Sequence, residues 1–392
     1  MTPAARSAAA LGAVMLASAA PAAAQEDDGL DIHPLLGVAG GVMYNVERNR
    51  NFESEQRDEA VTVAISRVGV TGTIGHGVSF KVEYERSLGN ENGSGVWEGT
   101  AGWGALEQWV RYERAGFRAD AGVVFDEATA VFGSAHAGGL FYRDRYTRNI
   151  GLWGGAFFGQ GVIVKYAPAP GLTLGVSYAA ANPLAHTNSF LIDGTSGGST
   201  RFYAASLLNS SFGQPSAAVH FQTVMGSARY EAGGLTAQAS GAWLEGDAKT
   251  NSDEDRLLTG WIARAGARYE VGRVRAFANA TYMWNRAQDR ALSSAYADYQ
   301  NDVLFGGAGV DVAIARAFGA GAWWAGTQRQ LDDAMDPRYR EQWLNVGATY
   351  APHRQFYVQL RVGYFRQDID NTAASVGQQQ ELAGFATSTL QL

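Results

Sequence analysis

The chain of 392 residues contains no cysteine, which excludes a disulfide framework and thiol chemistry. It has no phosphate-cradling glycine loop and no dinucleotide fingerprint. Its six histidines are scattered without a pair at metal-ligand spacing: His33, His76, His136, His186, His220 and His353. A hydrolase built on His220 with serine and aspartate from residues 182–216 is the one enzymatic alternative, and a lone histidine lining water explains that residue more simply. We therefore predict no enzymatic activity, no cofactor and no metal.

Long apolar runs are also missing. After residue 24 no stretch approaches the roughly 18 uninterrupted apolar residues of a transmembrane helix. Positive charge is not in excess, because the formal net charge is −7 at pH 7, and this argues against nucleic acid as a partner. Prolines number only 9, against 49 glycines, 18 phenylalanines, 17 tyrosines and 10 tryptophans, a composition that favours glycine- and aromatic-rich strands.

Residues 1–24 have the pattern of a secretory signal peptide. Arg6 supplies the positive charge, residues 8–19 form an apolar segment, and the three alanines 22–24 provide a small-residue cleavage site before Gln25. The alternative is a membrane anchor, but the apolar run is short and alanine-rich for that role. We expect the chain to leave the cytoplasm and its mature form to begin near Gln25.

Side chains alternate between apolar and polar over residues 355–368. One face carries Phe356, Val358, Leu360, Val362 and Tyr364, and the other carries Tyr357, Gln359, Arg361 and Gly363. Phe356 and Tyr364 lie about 26 Å apart along a strand. With the strand tilted by about 40°, this approaches the spacing of the two aromatic girdles of an outer-membrane barrel. A strand of this length would be unusual in a soluble β-sandwich.

Segments of this kind predict about sixteen strands. They lie near residues 35–47, 59–73, 78–87, 103–113, 117–125, 156–166, 172–181, 217–230, 235–245, 257–269, 273–285, 302–314, 318–329, 342–350, 355–368 and 380–392. Short connections, most of them containing Gly or Pro, alternate strictly with long ones. We therefore predict that residues 25–392 form one all-β domain, a transmembrane antiparallel β-barrel with short periplasmic turns and long extracellular loops. A barrel of this size leaves an aqueous lumen.

The connection 126–155 is long and rich in glycine, aromatics and arginine. It follows the fifth strand and is therefore the third extracellular loop. We do not expect a loop of this size to lie entirely outside the barrel. We expect it to fold into the lumen and to narrow the pore.

Three segments resemble the sixteen-stranded trimeric porins, and more narrowly the phosphate-selective porin O and P family: residues 67–72 (RVGVTG), 80–85 (FKVEYE) and 146–151 (YTRNIG). The resemblance implies the outer membrane of a Gram-negative bacterium, a homotrimer, a constriction at the third loop and an arginine-lined anion path. The family's path-lining lysines cannot be placed, because the chain has only Lys81, Lys165 and Lys249. We carry over no binding residue from the family.

The resulting expectation is a porin that lets small hydrophilic solutes diffuse passively. The alternative is a sealed barrel that acts as a surface receptor or structural anchor. Outer-membrane lipid and lipopolysaccharide are the expected surroundings. Asp253, Glu254 and Asp255 could hold a divalent cation beside lipopolysaccharide, although a solvated loop tip explains them more simply.

Arginines are the candidate pore-lining residues. On predicted lumen faces they are Arg111, Arg118, Arg264, Arg268, Arg273, Arg275 and Arg361, and the third loop adds Arg143, Arg145 and Arg148. The acids of that loop, which we assign to the opposite face of the constriction, are Asp126, Glu127 and Asp144. Such an arrangement would favour anions or dipolar solutes. In the alternative, the arginines are solvated wall residues paired with acids and confer no selectivity.

Overall fold

The computed structural model describes residues 30–49, 54–88, 104–126, 132–137, 157–181, 218–249, 255–289, 298–332, 338–353, 356–370 and 377–391. The predicted signal peptide, residues 1–24, lies outside these ranges, as do Asp253 and Glu254, whereas Asp255 begins a strand. Within the described ranges, no helix is long and apolar enough to cross a membrane.

The described residues form sixteen strands. These are β1 (Asp31–Asn49), β2 (Ser54–Gly75), β3 (Val78–Leu88), β4 (Gly104–Arg114), β5 (Phe117–Asp126), β6 (Phe157–Ala169), β7 (Leu172–Ala181), β8 (Ala218–Ala232), β9 (Leu235–Lys249), β10 (Asp255–Val271), β11 (Val274–Asp289), β12 (Asp298–Ala315), β13 (Phe318–Asp332), β14 (Arg338–His353), β15 (Phe356–Asp370) and β16 (Gly377–Gln391). Each pairs antiparallel with its neighbours in sequence, and β1 pairs with β16, which closes the barrel. The predicted fold class and strand number are confirmed.

Several strands extend beyond their predicted bounds. β12 covers Asp298–Ala315, whereas the alternation indicated only 302–314, and β2 likewise begins earlier than predicted, at Ser54. Apolar alternation marks only the part of a strand that faces lipid. Polar ends such as residues 298–301 continue the same ladder against β11, because strand pairing uses the backbone and requires no apolar side chain.

The alternation on β15 separates the two faces of the barrel as predicted. Leu360 and Val362 are 58% and 50% exposed, whereas Gln359 and Arg361 are 7% and 9% exposed. Because consecutive side chains of a strand point to opposite faces, the exposed apolar set covers the outside and the polar set lines the inside. The buried face of this protein is therefore the inner face of the barrel.

Aromatic side chains lie at two levels on the outside. Trp261 on β10 pairs in register with Trp243 on β9, and its ring centroid lies 4.9 Å from that of Tyr282. Toward the short turns, Tyr112 and Phe117 have ring centroids 6.4 Å apart. Aromatic residues at two heights flanking an apolar band are the arrangement of a barrel that spans a membrane.

The short connections are tight hairpin turns. His76 and Gly77 have φ values of 51° and 82°, and Ala115 and Gly116 have 51° and 79°. Two successive positive φ values define a type I′ turn, whose twist matches that of the flanking strands. The first of these turns is also bound to the neighbouring strand β4, since the Glu113 amide donates to the Gly77 carbonyl at 2.8 Å. This end of the barrel is consequently held in a fixed geometry.

Candidate functional site

Residues 132–137 follow β5 and lie against the inner faces of β10 to β15. Phe132 and Asn279 of β11 form a reciprocal pair of hydrogen bonds. The Phe132 amide donates to Asn279 Oδ1 at 2.8 Å, and Asn279 Nδ2 donates to the Phe132 carbonyl at 2.6 Å. A side-chain amide that satisfies both backbone groups of one residue fixes that residue in position and orientation. We call residues 132–137 the docked segment.

Asp311 of β12 is the main anchor of the docked segment. Its carboxylate accepts a hydrogen bond from the Ser134 hydroxyl and another from the Ala135 amide, the latter at 2.9 Å. Arg275 of β11 forms an ion pair with the same carboxylate. Asp311 is buried, so these donors replace the water that the charge loses.

Ser134 also holds the turn of the docked segment. Its hydroxyl oxygen accepts hydrogen bonds from the amides of His136 and Ala137, at 3.1 and 2.7 Å. A serine that caps the following amides in this way stabilises a local turn. Gln359 of β15 contributes the last contact, because its Nε2 donates to the Ala135 carbonyl at 2.9 Å. The segment is thus bound by side chains from three separate strands.

Glycines make room for the docked segment on the wall. A Cβ on Gly347 of β14 would lie 2.0 Å from the His136 carbonyl oxygen, and one on Gly321 of β13 would lie 2.5 Å from Ser134 Oγ. A Cβ on Gly319 would lie 2.3 Å from His136 Nε2. Since real Cβ atoms do not approach so closely, any other residue at these positions would push the segment off the wall. We call Gly319, Gly321 and Gly347 the glycine track.

An apolar cluster extends the contact. Phe132 packs with inner-face side chains of β10 to β15, which are Ile262, Phe277, Val303, Phe305, Trp323, Ala325, Trp343 and Phe365. The guanidinium of Arg268 lies 5.5 Å from the centre of the Phe132 ring. The inner faces of β10 to β15 therefore serve as the docking wall, with polar anchors beside an apolar core.

The inner faces of β3 to β6 carry a set of close ion pairs. Arg111 Nε lies 2.7 Å from Asp120 Oδ1, and Arg118 Nη2 lies 2.6 Å from Asp120 Oδ2. On β3, Lys81 Nζ lies 2.7 Å from Glu83 Oε2. We call this the charged wall, and it also includes Lys165 of β6, which pairs in register with Arg118. One carboxylate between two guanidinium groups leaves an excess of positive charge.

Of the predicted pore-lining residues, six lie on inner faces of strands: Arg111, Arg118, Arg264, Arg268, Arg275 and Arg361. Arg264 is buried and its Nε donates to Thr281 Oγ1 at 2.9 Å, while Arg361 donates to Gln359 Oε1. Arg273 was predicted on a lumen face but precedes β11, in the exposed turn, where it donates to the Ile314 carbonyl at 3.2 Å. The turn residue Gly272 has positive φ, so the strand starts one residue later than predicted.

The predicted loop residues are mostly outside the described part of the chain. Glu127, Arg143, Asp144, Arg145 and Arg148 all belong to this group. Asp126 is the last residue of β5, where it pairs with Phe157, and so it ends a strand.

The sequence analysis missed the residues that bind the docked segment. They are Ser134, Asn279, Asp311, Gln359 and the glycine track. Two of these glycines carry a faint sequence signal, because Gly321 and Gly347 take inner-face positions within strands, where no turn requires a glycine, whereas Gly319 is the second residue of β13 and lies next to a turn. Glycine at such positions indicates the close approach of another backbone. Among the described residues, no group of three or more His, Cys, Asp or Glu could hold a metal ion.

Comparison with known proteins gives the fold a context. No family model matches the chain, and no curated protein matches its sequence. Solved structures do match. The outer membrane channel DcaP of Acinetobacter baumannii is 14% identical with a TM-score of 0.52, over 94% of this chain and 100% of the other. The fold is that of an outer-membrane β-barrel.

Two further structures agree. An anion-selective porin from Comamonas acidovorans is 12% identical with a TM-score of 0.51, over 92% of this chain and 100% of the other. OmpT of Vibrio cholerae, an outer membrane protein solved in a trimer form, is 10% identical with a TM-score of 0.51, over 92% and 100% of the two chains. At such identities the likeness concerns the architecture, and the outer-membrane β-barrel described here shares it over nearly its whole length.

Proposed function

We propose that this protein is a porin in the outer membrane of a Gram-negative bacterium. Small hydrophilic solutes diffuse through it passively, and residues 126–155 narrow the pore. The observation that carries the proposal is the docked segment, which comes from this connection and is hydrogen-bonded to inner-face side chains on three strands. A sixteen-stranded barrel encloses an aqueous lumen, so a segment bound to one wall narrows the lumen without filling it.

The proposed pore prefers anions. Cations on described inner faces are Lys81, Arg111, Arg118, Lys165, Arg229, Arg264, Arg268, Arg275 and Arg361. The carboxylates buried among them are Glu83, Asp120 and Asp311. Glu231 and Glu270, which pair with Arg229 and Arg268, lie exposed at the turn end. A lumen with surplus fixed positive charge concentrates anions and repels cations.

The assembly and surroundings are part of the same proposal. We propose a homotrimer in contact with outer-membrane lipid and lipopolysaccharide, with no enzymatic activity. The apolar outer face and its two aromatic levels support the contact with lipid. The trimeric form of the Vibrio cholerae protein of the same fold supports the oligomer.

One observation favours a second candidate, a sealed barrel that serves as a receptor or anchor. The apolar cluster around Phe132 is buried on the inner side of the barrel, as the core of a closed structure would be. Single-channel recording in a planar lipid bilayer separates the two functions. The porin gives stable, ohmic conductance steps, and a sealed barrel gives no steps at any voltage tested.

Selectivity is tested in the same bilayers. Under a gradient of potassium chloride, the reversal potential of an anion-preferring pore has the same sign as the equilibrium potential of chloride. A reversal potential at zero would leave the porin function intact and would contradict the anion preference alone.

A further inference from the structure

His136 lies at the tightest part of the docked segment. Its Nε2 faces the backbone of Gly319, and its carbonyl oxygen faces Gly347, both close enough that a Cβ would collide with them. Its Nδ1 is buried and has no hydrogen-bond partner within the described part of the chain. Among the described residues, a second proton on Nδ1 would therefore find no acceptor.

The charged groups around His136 come from three strands. Asp311 of β12 attracts a proton to the imidazole, whereas Arg275 of β11 and Arg361 of β15 repel it. β13 and β14 present the glycine track at this point and add no charge. The carboxylate of Asp311 is already engaged by Ser134, Ala135 and Arg275, so it is poorly placed to balance an imidazolium as well.

We propose that His136 makes the docking of residues 132–137 sensitive to pH, so that protonation of its imidazole loosens the segment from the docking wall. A second proton would create a buried N–H donor without an acceptor, which destabilises the docked state, and more so because the group is then charged. The proposal concerns the docked segment itself and does not depend on whether the pore prefers anions.

Burial lowers the pKa of His136, and the effect of the two arginines adds to this, while Asp311 acts in the opposite direction. An undocked, solvated histidine has a pKa of about 6.5. A base whose pKa is lower in the docked state binds fewer protons there than in the undocked state. Docking therefore has its full strength above about pH 6.5 and weakens as the pH falls below that value.

The absence of cysteine makes a direct test possible. Ala137 is buried in the docked segment, so in the full-length variant Ala137→Cys a water-soluble maleimide reacts only when the segment leaves the wall. The reaction rate is measured from about pH 8 to about pH 5 with His136 present and with His136→Gln, across the range in which histidine titrates. Comparing the two at each pH cancels the pH dependence of the thiol itself.

We expect the ratio of the two rates, with His136 over His136→Gln, to rise as the pH falls. The rise at about pH 5 should be at least about threefold, and a solvated histidine with a pKa of about 6.5 sets its upper limit at about thirtyfold. A ratio that stays flat across the range overturns the proposal. The variant His353→Gln, at the exposed end of β14, is the matched control and should leave the profile of the parent unchanged.

If the segment is undocked at every pH in the His136→Gln variant, the proposal is tested with the protein that retains His136. Its Ala137→Cys rate is then divided by the rate of Ala135→Cys, whose side chain is exposed in the same segment. A quotient that increases toward acid supports the proposal, and one that is constant refutes it. Neither readout uses conductance, so failure here is distinct from failure of the porin function.

Discussion

The docking wall and the charged wall are built from the same alternating strands, yet they are used differently. On the docking wall, the buried carboxylate of Asp311 accepts hydrogen bonds from the Ser134 hydroxyl and the Ala135 amide. The glycine track leaves room there for the docked segment. On the charged wall, the buried Asp120 is held between Arg111 and Arg118. The inner face of a barrel strand can therefore serve as a core or as a pore lining. The presence of glycine where the segment crosses distinguishes the two.

The largest effect is expected from Asp311→Asn. The amide that replaces the carboxylate cannot match its acceptor capacity for Ser134 and Ala135, and Arg275 is left without its counter-charge. Breaking a buried ion pair costs about 3–5 kcal/mol, and the low end applies because Arg275 is 26% exposed. Maleimide reaction at Ala137→Cys should become much faster, and conductance should change with it.

The control for Asp311→Asn is Asp368→Asn, which removes the exposed ion pair with Arg366. Exposed pairs contribute about 0–1 kcal/mol, so this variant should behave like the parent. If Asp311→Asn left the reaction rate at Ala137→Cys unchanged, Asp311 would not be an anchor.

A smaller effect is expected from Gly347→Ala. The added methyl group would meet the His136 carbonyl oxygen at 2.0 Å and would displace the segment. Overpacking of this kind costs about 1–3 kcal/mol, and it should be visible as faster labelling at Ala137→Cys. Gly306→Ala is the matched control, because a Cβ there meets nothing within 4 Å. Equal labelling of the two variants would contradict the role of the glycine track.

Substitutions on the charged wall should change the ion selectivity and should leave the docking of residues 132–137 unchanged. In the double variant with Arg111→Ala and Arg118→Ala, the loss of two positive charges should shift the reversal potential toward cations. Labelling at Ala137→Cys should stay at the parental rate, since both arginines bind Asp120 on the charged wall. A shift in labelling without a shift in reversal potential would reverse the roles assigned to the two walls.

A change in selectivity alone is expected from the loop arginines. Replacing Arg143, Arg145 and Arg148 together by alanine should reduce the anion preference, because we place them at the constriction. The reversal potential under a salt gradient measures the change. An ion preference that the triple replacement leaves unmoved would show that these residues lie away from the narrowest part of the pore.

The inner-face positions of the wall arginines follow from sequence periodicity. Because alternate side chains point to opposite faces, the phase of Leu360 and Val362 also fixes the inner position of Arg361. The same reasoning puts Arg264 and Arg275 inside. It fails for Arg273 because this residue belongs to the turn before β11, and periodicity does not fix the first residue of a strand to better than one position.

The sequence by itself determined the barrel, since the period of its side chains and the alternation of short and long connections require neighbouring strands to pair in order. It also indicated that residues 126–155 are too long for a simple turn. Only the tertiary structure decided where residues 132–137 of that connection are held. Their hydrogen bonds join residues that are far apart in sequence. The separations are 147 residues for Phe132 and Asn279, 177 for Ser134 and Asp311, and 224 for Ala135 and Gln359. Such contacts form only after the sheet closes, and no local pattern specifies which inner-face glycine will oppose which loop residue.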